Sequence, residues 1–170
     1  VILRLPAVGA VYPTLYTNAL RFEIGKAICV HEGEDVAILA TGIMVSDALL
    51  VAEALKKNGI RARVLDVHTI KPLDEKAILS AARETGAIVT AEDANILGGL
   101  GGAVAEVTSE KCPVRIKRVG VKDEFGESGT AEEIREHCGL TSSFIKEAVQ
   151  QVLKAKRGEG ATKKRKAPRR

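Results

Sequence analysis

The sequence predicts an α/β fold: a three-layer sandwich whose mainly parallel five-stranded sheet has one antiparallel edge strand and helices on both faces. Three observations predict it. From residue 26 onward, short apolar runs alternate with segments of helical periodicity. The apolar residues are mostly Val, Ile, Leu and Ala, with three Phe, two Tyr and no Trp, as is typical of parallel strands buried on both faces. A chain of 170 residues is also long enough to bury one substantial core.

The regular pattern is preceded by a segment without a clear period. The chain opens on Val-Ile-Leu with no Met, and residues 1–5 have the character of a strand. Pro6 would end the pairing of that strand, and the irregular stretch after it contains Pro13 and Asn18. We therefore interpret residues 1–21 as the end of a preceding pyrimidine-type domain and a linker, within a longer polypeptide.

Two apolar runs, residues 27–30 and 36–40, begin the regular part of the predicted sheet. The five residues between them include Gly33, and a turn of this length with glycine is typical of a β-hairpin. We therefore expect the first strand to pair antiparallel with the second and to form the antiparallel edge.

The remaining strands alternate with helices, which predicts right-handed crossovers and a parallel sheet. The first helix opens at Thr41 or Ser46 and ends before a left-handed cap at residues 58–59. The second helix is capped by Asp74 and ends at Gly86. Apolar runs predict the other three strands at residues 62–67, 87–91 and 114–119.

The last two helices have their own start signals. Thr130 and Glu133 are spaced as in a capping box, which predicts a short helix that ends near Cys138. Residues 141–143, Thr-Ser-Ser, open a last helix whose apolar residues repeat at helical spacing. Residues 158–170 are rich in Lys and Arg, and we expect a disordered basic tail there.

The formal net charge of +4 comes from the end of the chain. Six basic residues lie in positions 163–170, and without them 20 basic residues face 22 acidic ones. Binding of nucleic acid such as RNA, or a localisation signal, is the alternative to a solvated tail. The three cysteines are widely spaced and indicate neither a disulfide framework nor a zinc site. No apolar run has the length of a membrane span and no signal peptide is evident, so we expect a cytoplasmic protein without membrane contact.

Four glycines follow the strand at residues 87–91 and open the next helix: Gly98, Gly99, Gly101 and Gly102. Glycines at the start of a helix let its free N–H groups approach an anion or another surface. A dinucleotide fingerprint would need a third glycine where Val104 stands, and would not leave seven residues between the strand and Gly99. We therefore expect this segment to pack closely against another domain.

Ligands and partners of a parallel sheet meet the loops at the carboxyl ends of its strands. The loops that qualify are residues 41–44, 68–73, 92–97 and 120–129. His68 is the only histidine in them, and we expect it to make a structural hydrogen bond, with catalysis as the alternative. We expect Glu92 and Asp93 to be solvated or salt-bridged, because a metal site needs further ligands. Phe125, flanked by charges and glycine, predicts an anchor in a pocket of its own domain or of a neighbour.

Four strings, in this order along the chain, resemble the C-terminal domain of the transketolase family. They are ILATGIMV at residues 38–45, DVHTIKPLD at 66–74, TAEDANILGGLG at 90–101 and VGVKDEFGESG at 119–129. The resemblance covers residues 22–153, and we expect the domain to occupy residues 22–157. The strings TIKPLD and FGESG look closer to the C-terminal subunit of split prokaryotic transketolases than to deoxyxylulose-phosphate synthase, which is the alternative within enzymes.

The resemblance implies part of a thiamine-diphosphate-dependent transketolase, a dimer that transfers two-carbon ketol units between sugar phosphates. It places the Mg²⁺ and diphosphate site and the activating glutamate in two other domains, so this chain alone would bind no cofactor or metal and carry no catalytic residue. Its partners would be those N-terminal diphosphate-binding and pyrimidine-binding domains, or the subunit that contains them. The interdomain or dimer interface would include His68, Glu92, Asp93, Asn95, Leu97, Gly98, Gly99, Gly101 and Phe125.

Two positions depart from the family pattern. Ala94 stands where members often have His after the acidic pair, so any role of that His at the domain junction is absent or shifted. Ala7 stands where relatives have a second Arg, which leaves Arg4 as the candidate for substrate binding. A free-standing nucleotide-binding or regulatory module is the alternative from a different functional class.

Overall fold

The computed structural model describes residues 2–4, 13–17, 20 and 22–164, with the side chains of the last helix described as far as residue 158. Ala7 and residues 165–170, which the sequence singles out, lie outside the described residues. In chain order the elements are β1 (Ile28–His31), β2 (Val36–Ala40), α1 (Met44–Lys56), β3 (Ala62–Asp66), α2 (Glu75–Thr85), β4 (Ala87–Asn95), α3 (Leu100–Lys111), β5 (Arg115–Val121), α4 (Ala131–His137) and α5 (Ser142–Lys164).

The strands form one sheet in the order β1-β3-β2-β4-β5. Strands β3, β2, β4 and β5 run parallel, and β1 is antiparallel to β3 at one edge. Helices α1 and α5 pack on one face of the sheet and α2 and α3 on the other, each pair over its own apolar core. Every residue of the central strand β2 is fully buried, as expected for a parallel strand covered on both faces. The predicted α/β class and its three layers are therefore confirmed.

The predicted hairpin between β1 and β2 is wrong, because β3 lies between these two strands. Strands lie about 4.8 Å apart, so the connection must span about 10 Å, and a five-residue loop is long enough to do so. The loop crosses the start of β3, where Asp35 Oδ2 accepts a hydrogen bond of 2.7 Å from the backbone N–H of Arg61. A Cβ on Gly33 would lie 2.3 Å from the carbonyl carbon of Ala62. This glycine therefore permits a close crossing over β3 rather than a hairpin turn.

The predicted caps of α2 and α4 are confirmed. Oδ1 of Asp74 accepts a hydrogen bond of 3.1 Å from the backbone N–H of Ala77, and Gly86 ends α2 in the left-handed conformation with φ +62°. Thr130 and Glu133 form a capping box at the start of α4. These local signals fix where both helices begin.

The predicted side-chain cap of α1 is wrong. The residue before this helix is Ile43, which offers no capping side chain, and Ser46 lies inside the first turn, where its Oγ donates to the carbonyl of Ile43 at 2.8 Å. The backbone N–H of Met44 donates instead to the carbonyl of Thr41 at 3.3 Å. A backbone turn therefore starts α1.

The structure bears on both ends of the chain, where the expected domain boundaries stay predictions. Helix α5 continues to Lys164, so the expected end of the domain at residue 157 falls inside a helix, and so does the start of the expected disordered tail. Residues 2–4 are described but are not assigned to a strand. Within the described part of the chain, no helix combines the length and the apolar character needed to cross a membrane.

Candidate functional site

The loops after β2, β3, β4 and β5 emerge side by side at one edge of the sheet. Ala40, near the end of β2, pairs with Asp66 of β3 and with Ala91 of β4, and Ala91 pairs with Val119 of β5. This is the edge at which parallel sheets meet ligands and partners. We define the carboxyl-end surface as the following partly or fully exposed residues of this edge: Phe22, His68, Ile70, Asp93, Asn95 and Leu97.

Glu92 is buried at this edge, which contradicts the solvated or salt-bridged role expected from the sequence. Strand β4 continues to Asn95, so Glu92 lies in the strand rather than in a turn, and its side chain is completely buried. Its carboxylate accepts hydrogen bonds from the backbone N–H groups of Leu100 (2.7 Å) and Gly101 (2.8 Å) at the start of α3. Negative charge at a helix N-terminus is favourable, because the unpaired N–H groups and the helix dipole both attract it.

The glycine cluster is explained by this buried carboxylate. A Cβ on Gly99 would lie 1.8 Å from Oε2 of Glu92, and one on Gly101 would lie 2.7 Å from Cδ of Arg118. The close approach of these two glycines is therefore to residues of their own domain, and their place in an interdomain interface stays a prediction. Gly98 has φ +75°, which favours glycine, and a Cβ there would meet no described atom within 4 Å.

Asn95 connects the loop after β4 to the loop after β5. Its Nδ2 donates a hydrogen bond of 2.8 Å to Oδ1 of Asp123, and its Oδ1 accepts one of 2.8 Å from the backbone N–H of Leu97. Arg118 donates from Nη1 to the carbonyl of Ile96 at 2.9 Å. These bonds fix the backbone that presents the exposed side chain of Leu97 to solvent.

Asp93 points away from Glu92, as successive residues of a strand do, and pairs with the N-terminal segment. Nη2 of Arg4 lies 3.5 Å from Oδ2 of Asp93, and Nη1 of Arg4 donates to the carbonyl of Asp93. Asp93 therefore has the salt bridge that the sequence predicted. Substrate binding by Arg4 stays a prediction.

His68 makes structural contacts. Its Nδ1 lies 2.8 Å from the hydroxyl of Thr69, and its ring lies on Phe22 with 4.4 Å between ring centres. Nε2 is buried and has no hydrogen-bond partner among the described residues. These neighbours hold the imidazole in place, as expected of a structural histidine, and a catalytic or interface role of His68 stays a prediction.

Asp66, at the end of β3, binds the segment that precedes the domain, and sequence reasoning missed this contact. The Tyr16 hydroxyl donates a hydrogen bond of 2.7 Å to Oδ2 of Asp66, and Leu15 packs against the core under α1 and α5. Burial raises the pKa of Asp66 above its usual value of 3.8, although the hydrogen bond from Tyr16 and the nearby His68 lower it. Burial also raises the pKa of Tyr16, as do its hydrogen bond to Asp66 and the charge of that carboxylate. A carboxyl group directly after the apolar residues Val64 and Leu65, at the end of a strand, is the signal that could have indicated a buried partner.

Phe125 lies in the loop after β5 and is fully exposed. The expectation that it docks in a pocket of its own domain is therefore wrong for the described chain, and docking into a neighbour stays a prediction. His, Cys, Asp and Glu side chains form no group of three or more that could hold a metal ion within the residues that the structure describes.

The family model for the C-terminal domain of transketolase matches residues 25–145. A 6-deoxy-6-sulfo-D-fructose transketolase subunit from Clostridium sp. (strain MSTE9) is 54% identical over 135 residues, which are 79% of this chain and 42% of that protein. A 1-deoxy-D-xylulose-5-phosphate synthase from Geobacter sulfurreducens is 43% identical over 135 residues, 78% of this chain and 21% of the synthase.

A solved structure described as a split gene transketolase, inactive beta4 tetramer, superposes with a TM-score of 0.81 at 45% identity. The match covers 84% of this chain and 47% of that one. The chain therefore spans less than half the length of these relatives.

Proposed function

Because the chain belongs to the transketolase C-terminal domain family, we propose that it is the assembly domain of a split-type transketolase. The complete enzyme transfers two-carbon ketol units between sugar phosphates in the cytoplasm, as part of the pentose phosphate pathway, and works as a dimer. In this proposal the carboxyl-end surface contacts the domains that bind the cofactor, and this chain alone is inactive. The subunit described for the Clostridium relative supports a division of the enzyme between chains.

The observation that carries this proposal is the exposed apolar part of the carboxyl-end surface. Phe22, Ile70 and Leu97 are 59%, 40% and 58% exposed at the edge where the loops of a parallel sheet meet partners. Hydrogen bonds and ring contacts hold their loops, so a partner would lose little conformational entropy from this surface on binding. Apolar side chains at a fixed surface are typical of a protein interface.

The residues of this chain do not fit the thiamine diphosphate and Mg²⁺ that the family implies. A helix N-terminus with glycines is the natural site for a diphosphate, and here that is the start of α3. Its N–H groups at Leu100 and Gly101 already donate to the carboxylate of Glu92, whose negative charge would repel a diphosphate. We therefore propose that the partner domains hold the cofactor and that this chain acts by supporting them.

The proposal is tested by mixing the chain with a subunit that contains the diphosphate-binding and pyrimidine-binding domains. We expect ketol transfer from xylulose 5-phosphate to appear only in the mixture. Leu97→Asp should weaken binding of that subunit at least tenfold, because it places a charge in an apolar contact. Leu50→Asp is the matched control, since Leu50 is similarly exposed but lies on α1. Equal loss in both variants would remove the carboxyl-end surface from the proposal.

Deoxyxylulose-phosphate synthase is the second candidate for the complete enzyme, because the Geobacter relative is 43% identical over most of the chain. The same mixture, supplied with pyruvate and glyceraldehyde 3-phosphate, separates the two activities. A synthase would consume pyruvate and release carbon dioxide, whereas a transketolase would leave pyruvate unchanged.

A further inference from the structure

Helix α5 continues beyond the core into a segment that is rich in basic residues. Leu153 is buried, whereas Lys154 and Arg157 are exposed. The helix itself continues to Lys164. Residues 154–170 contain nine basic residues and one acidic residue, which leaves 17 basic and 21 acidic residues in the rest of the chain. The positive charge of the sequence is therefore concentrated in the part that begins where α5 leaves the core.

Lys156 fixes the position of this part of α5. Its Nζ donates hydrogen bonds to the carbonyl of Asp35 at 3.1 Å and to the carbonyl of Thr85, the last residue of α2, at 2.6 Å. A hollow of about 140 Å³ beside it is lined by Arg157 and by residues 59–60, which follow α1. These contacts hold the part of α5 after the core against the end of α1.

Two lysines at the end of α1 extend the positive charge across this junction. Lys56 ends α1, Lys57 follows it, and both are exposed. We define the basic end as these two lysines together with Lys154 and Arg157 of α5. None of the four forms an ion pair within the described part of the chain. A helix C-terminus attracts cations only within its last turn, and α5 continues to Lys164, so helix stability does not explain the two cations of α5.

The basic end lies at the opposite edge of the sheet from the carboxyl-end surface. Helix α1 starts after the carboxyl end of β2 and leads to the amino end of the parallel strand β3. It must therefore run back along the sheet, and its end lies beside the loops that precede β2 and β3. A partner of the basic end would leave the carboxyl-end surface accessible.

The side chains that accompany these cations indicate the kind of partner that they fit. From residue 154 to the end of the sequence, the apolar residues are only alanines and one proline. A membrane-surface helix needs large apolar side chains on one face, and a protein interface depends on aromatic and other large anchors. A nucleic acid needs neither, because neutralising its phosphates releases counterions and this release supplies the affinity. The segment also has no aromatic side chain on which a base could stack, so the contacts would be to the backbone.

We propose that the basic end, together with the six basic residues of positions 163–170, binds the phosphate backbone of RNA without sequence preference. The cations of α1 and α5 bind phosphates at the surface of the domain, and the basic residues that follow add further contacts. This goes beyond the proposed function, because it uses neither the carboxyl-end surface nor the cofactor of the complete enzyme.

Fluorescence anisotropy of a labelled oligouridine RNA with the 170-residue chain, at a low salt concentration of about 50 mM, tests the proposal. Replacing all four residues of the basic end by Gln should weaken binding at least tenfold. The matched control replaces four other exposed lysines by Gln, all near the carboxyl-end edge of the sheet: Lys26, Lys71, Lys76 and Lys122. This control removes the same charge and should weaken binding less than threefold. Circular dichroism shows that both variants are folded.

The salt dependence of binding gives the sharper result. For a single strand, the logarithm of the association constant falls with the logarithm of the salt concentration by about 0.7 for each phosphate neutralised. Loss of four contacts should therefore reduce the slope by up to about 2.8, and replacing the six basic residues of positions 163–170 by Gln should reduce it as well. An oligoadenosine of the same length should bind as tightly as the oligouridine.

Four outcomes overturn the proposal: no binding of RNA by the wild-type chain at about 50 mM salt, an unchanged slope in the basic-end variant, equal weakening in the control, and tighter binding to phosphatidylserine vesicles than to RNA. The basic-end variant should retain full ketol transfer in the mixture with the partner subunit. Either proposal can therefore fail without the other.

Discussion

Glu92 and Asp66 are both buried carboxylates near the carboxyl ends of the two parallel strands that flank β2, yet they hold different parts of the molecule. Glu92 accepts hydrogen bonds from backbone N–H groups eight and nine residues later, at the start of α3. Asp66 accepts one from the hydroxyl of Tyr16, which lies fifty residues earlier in the segment before the domain. The first contact is internal to the domain, and the second attaches another segment to it.

The difference follows from where each carboxylate stands on the sheet. Glu92 lies on the face covered by α3 and is completely buried, so it is stable there only because the helix offers N–H groups to it. Asp66 lies nearer the rim and is 8% exposed, and a single hydroxyl approaches it from outside the sheet. Removal of the Glu92 carboxylate should therefore destabilise the domain. Removal of the Asp66 carboxylate should instead detach the segment around Tyr16 from the domain.

The largest effect is expected for Glu92→Ala. It leaves two N–H groups at the start of α3 without their acceptor and opens a cavity, which should lower the free energy of unfolding by roughly 3 kcal/mol. Asp93→Ala is the neighbouring control, and loss of its exposed ion pair with Arg4 should cost at most about 1 kcal/mol. Urea denaturation of both variants measures the difference, and equal losses would show that the buried carboxylate is not what holds α3.

Two glycines at the start of α3 test the same contact between Glu92 and the helix. Gly99→Ala would place a methyl group 1.8 Å from Oε2 of Glu92 and should destabilise the domain by roughly 2 kcal/mol, as an overpacked site does. Gly102→Ala is the matched control, because its Cβ would meet no described atom within 4 Å and it lies inside the helix. That variant should gain about 0.5–1 kcal/mol in thermal or urea denaturation, since alanine is the better helix former. Opposite signs for two nearby glycines are the expected outcome, and two losses would contradict the role given to Glu92.

The fold could be predicted because its signals are local. Apolar runs located all five strands, and the caps at Asp74 and Thr130 located two helices, since each depends on residues within one turn. The neighbour of β1 could not be predicted in this way. A five-residue turn with glycine is compatible both with a hairpin and with a crossing over one strand, and only the packing of β3 between β1 and β2 decides between them.

The site was less predictable, because its contacts join distant segments. A Glu-Asp pair after an apolar run looks like a polar turn, and nothing in its neighbourhood shows that Glu92 has partners on the following helix. The hydrogen bond between Tyr16 and Asp66 was missed for the same reason. Candidates chosen for their position at strand ends, such as Asn95 and Leu97, were indeed placed together at one edge, because that position follows from the parallel topology alone.

Tyr16→Phe should detach the segment around residue 16 from the domain, with a smaller effect on stability than the substitutions of Glu92 and Gly99. It removes one hydrogen bond and leaves the rest of the ring in place, so the free energy of unfolding should fall by about 1 kcal/mol. Proteolysis between residues 13 and 17 should become faster in this variant, whereas proteolysis within α3 should not change. Equal acceleration at both places would mean that Tyr16 supports the whole domain, and the contrast between the two carboxylates would be lost.

Asp66→Asn should change the pH dependence of stability. Because burial raises the pKa of Asp66 in the folded chain, the folded state binds more protons than the unfolded state above the usual pKa of 3.8. Stability should therefore fall as the pH rises from about 3.8 through the raised pKa, by at most about 1.4 kcal/mol per pH unit, and should be constant above it. Asparagine keeps an acceptor for Tyr16 but does not titrate, so the fall should be absent in Asp66→Asn, while Asp93→Asn should retain it. Urea denaturation at a series of pH values measures how the free energy of unfolding changes with pH. A wild-type slope in Asp66→Asn would mean that a group other than Asp66 causes the fall in stability.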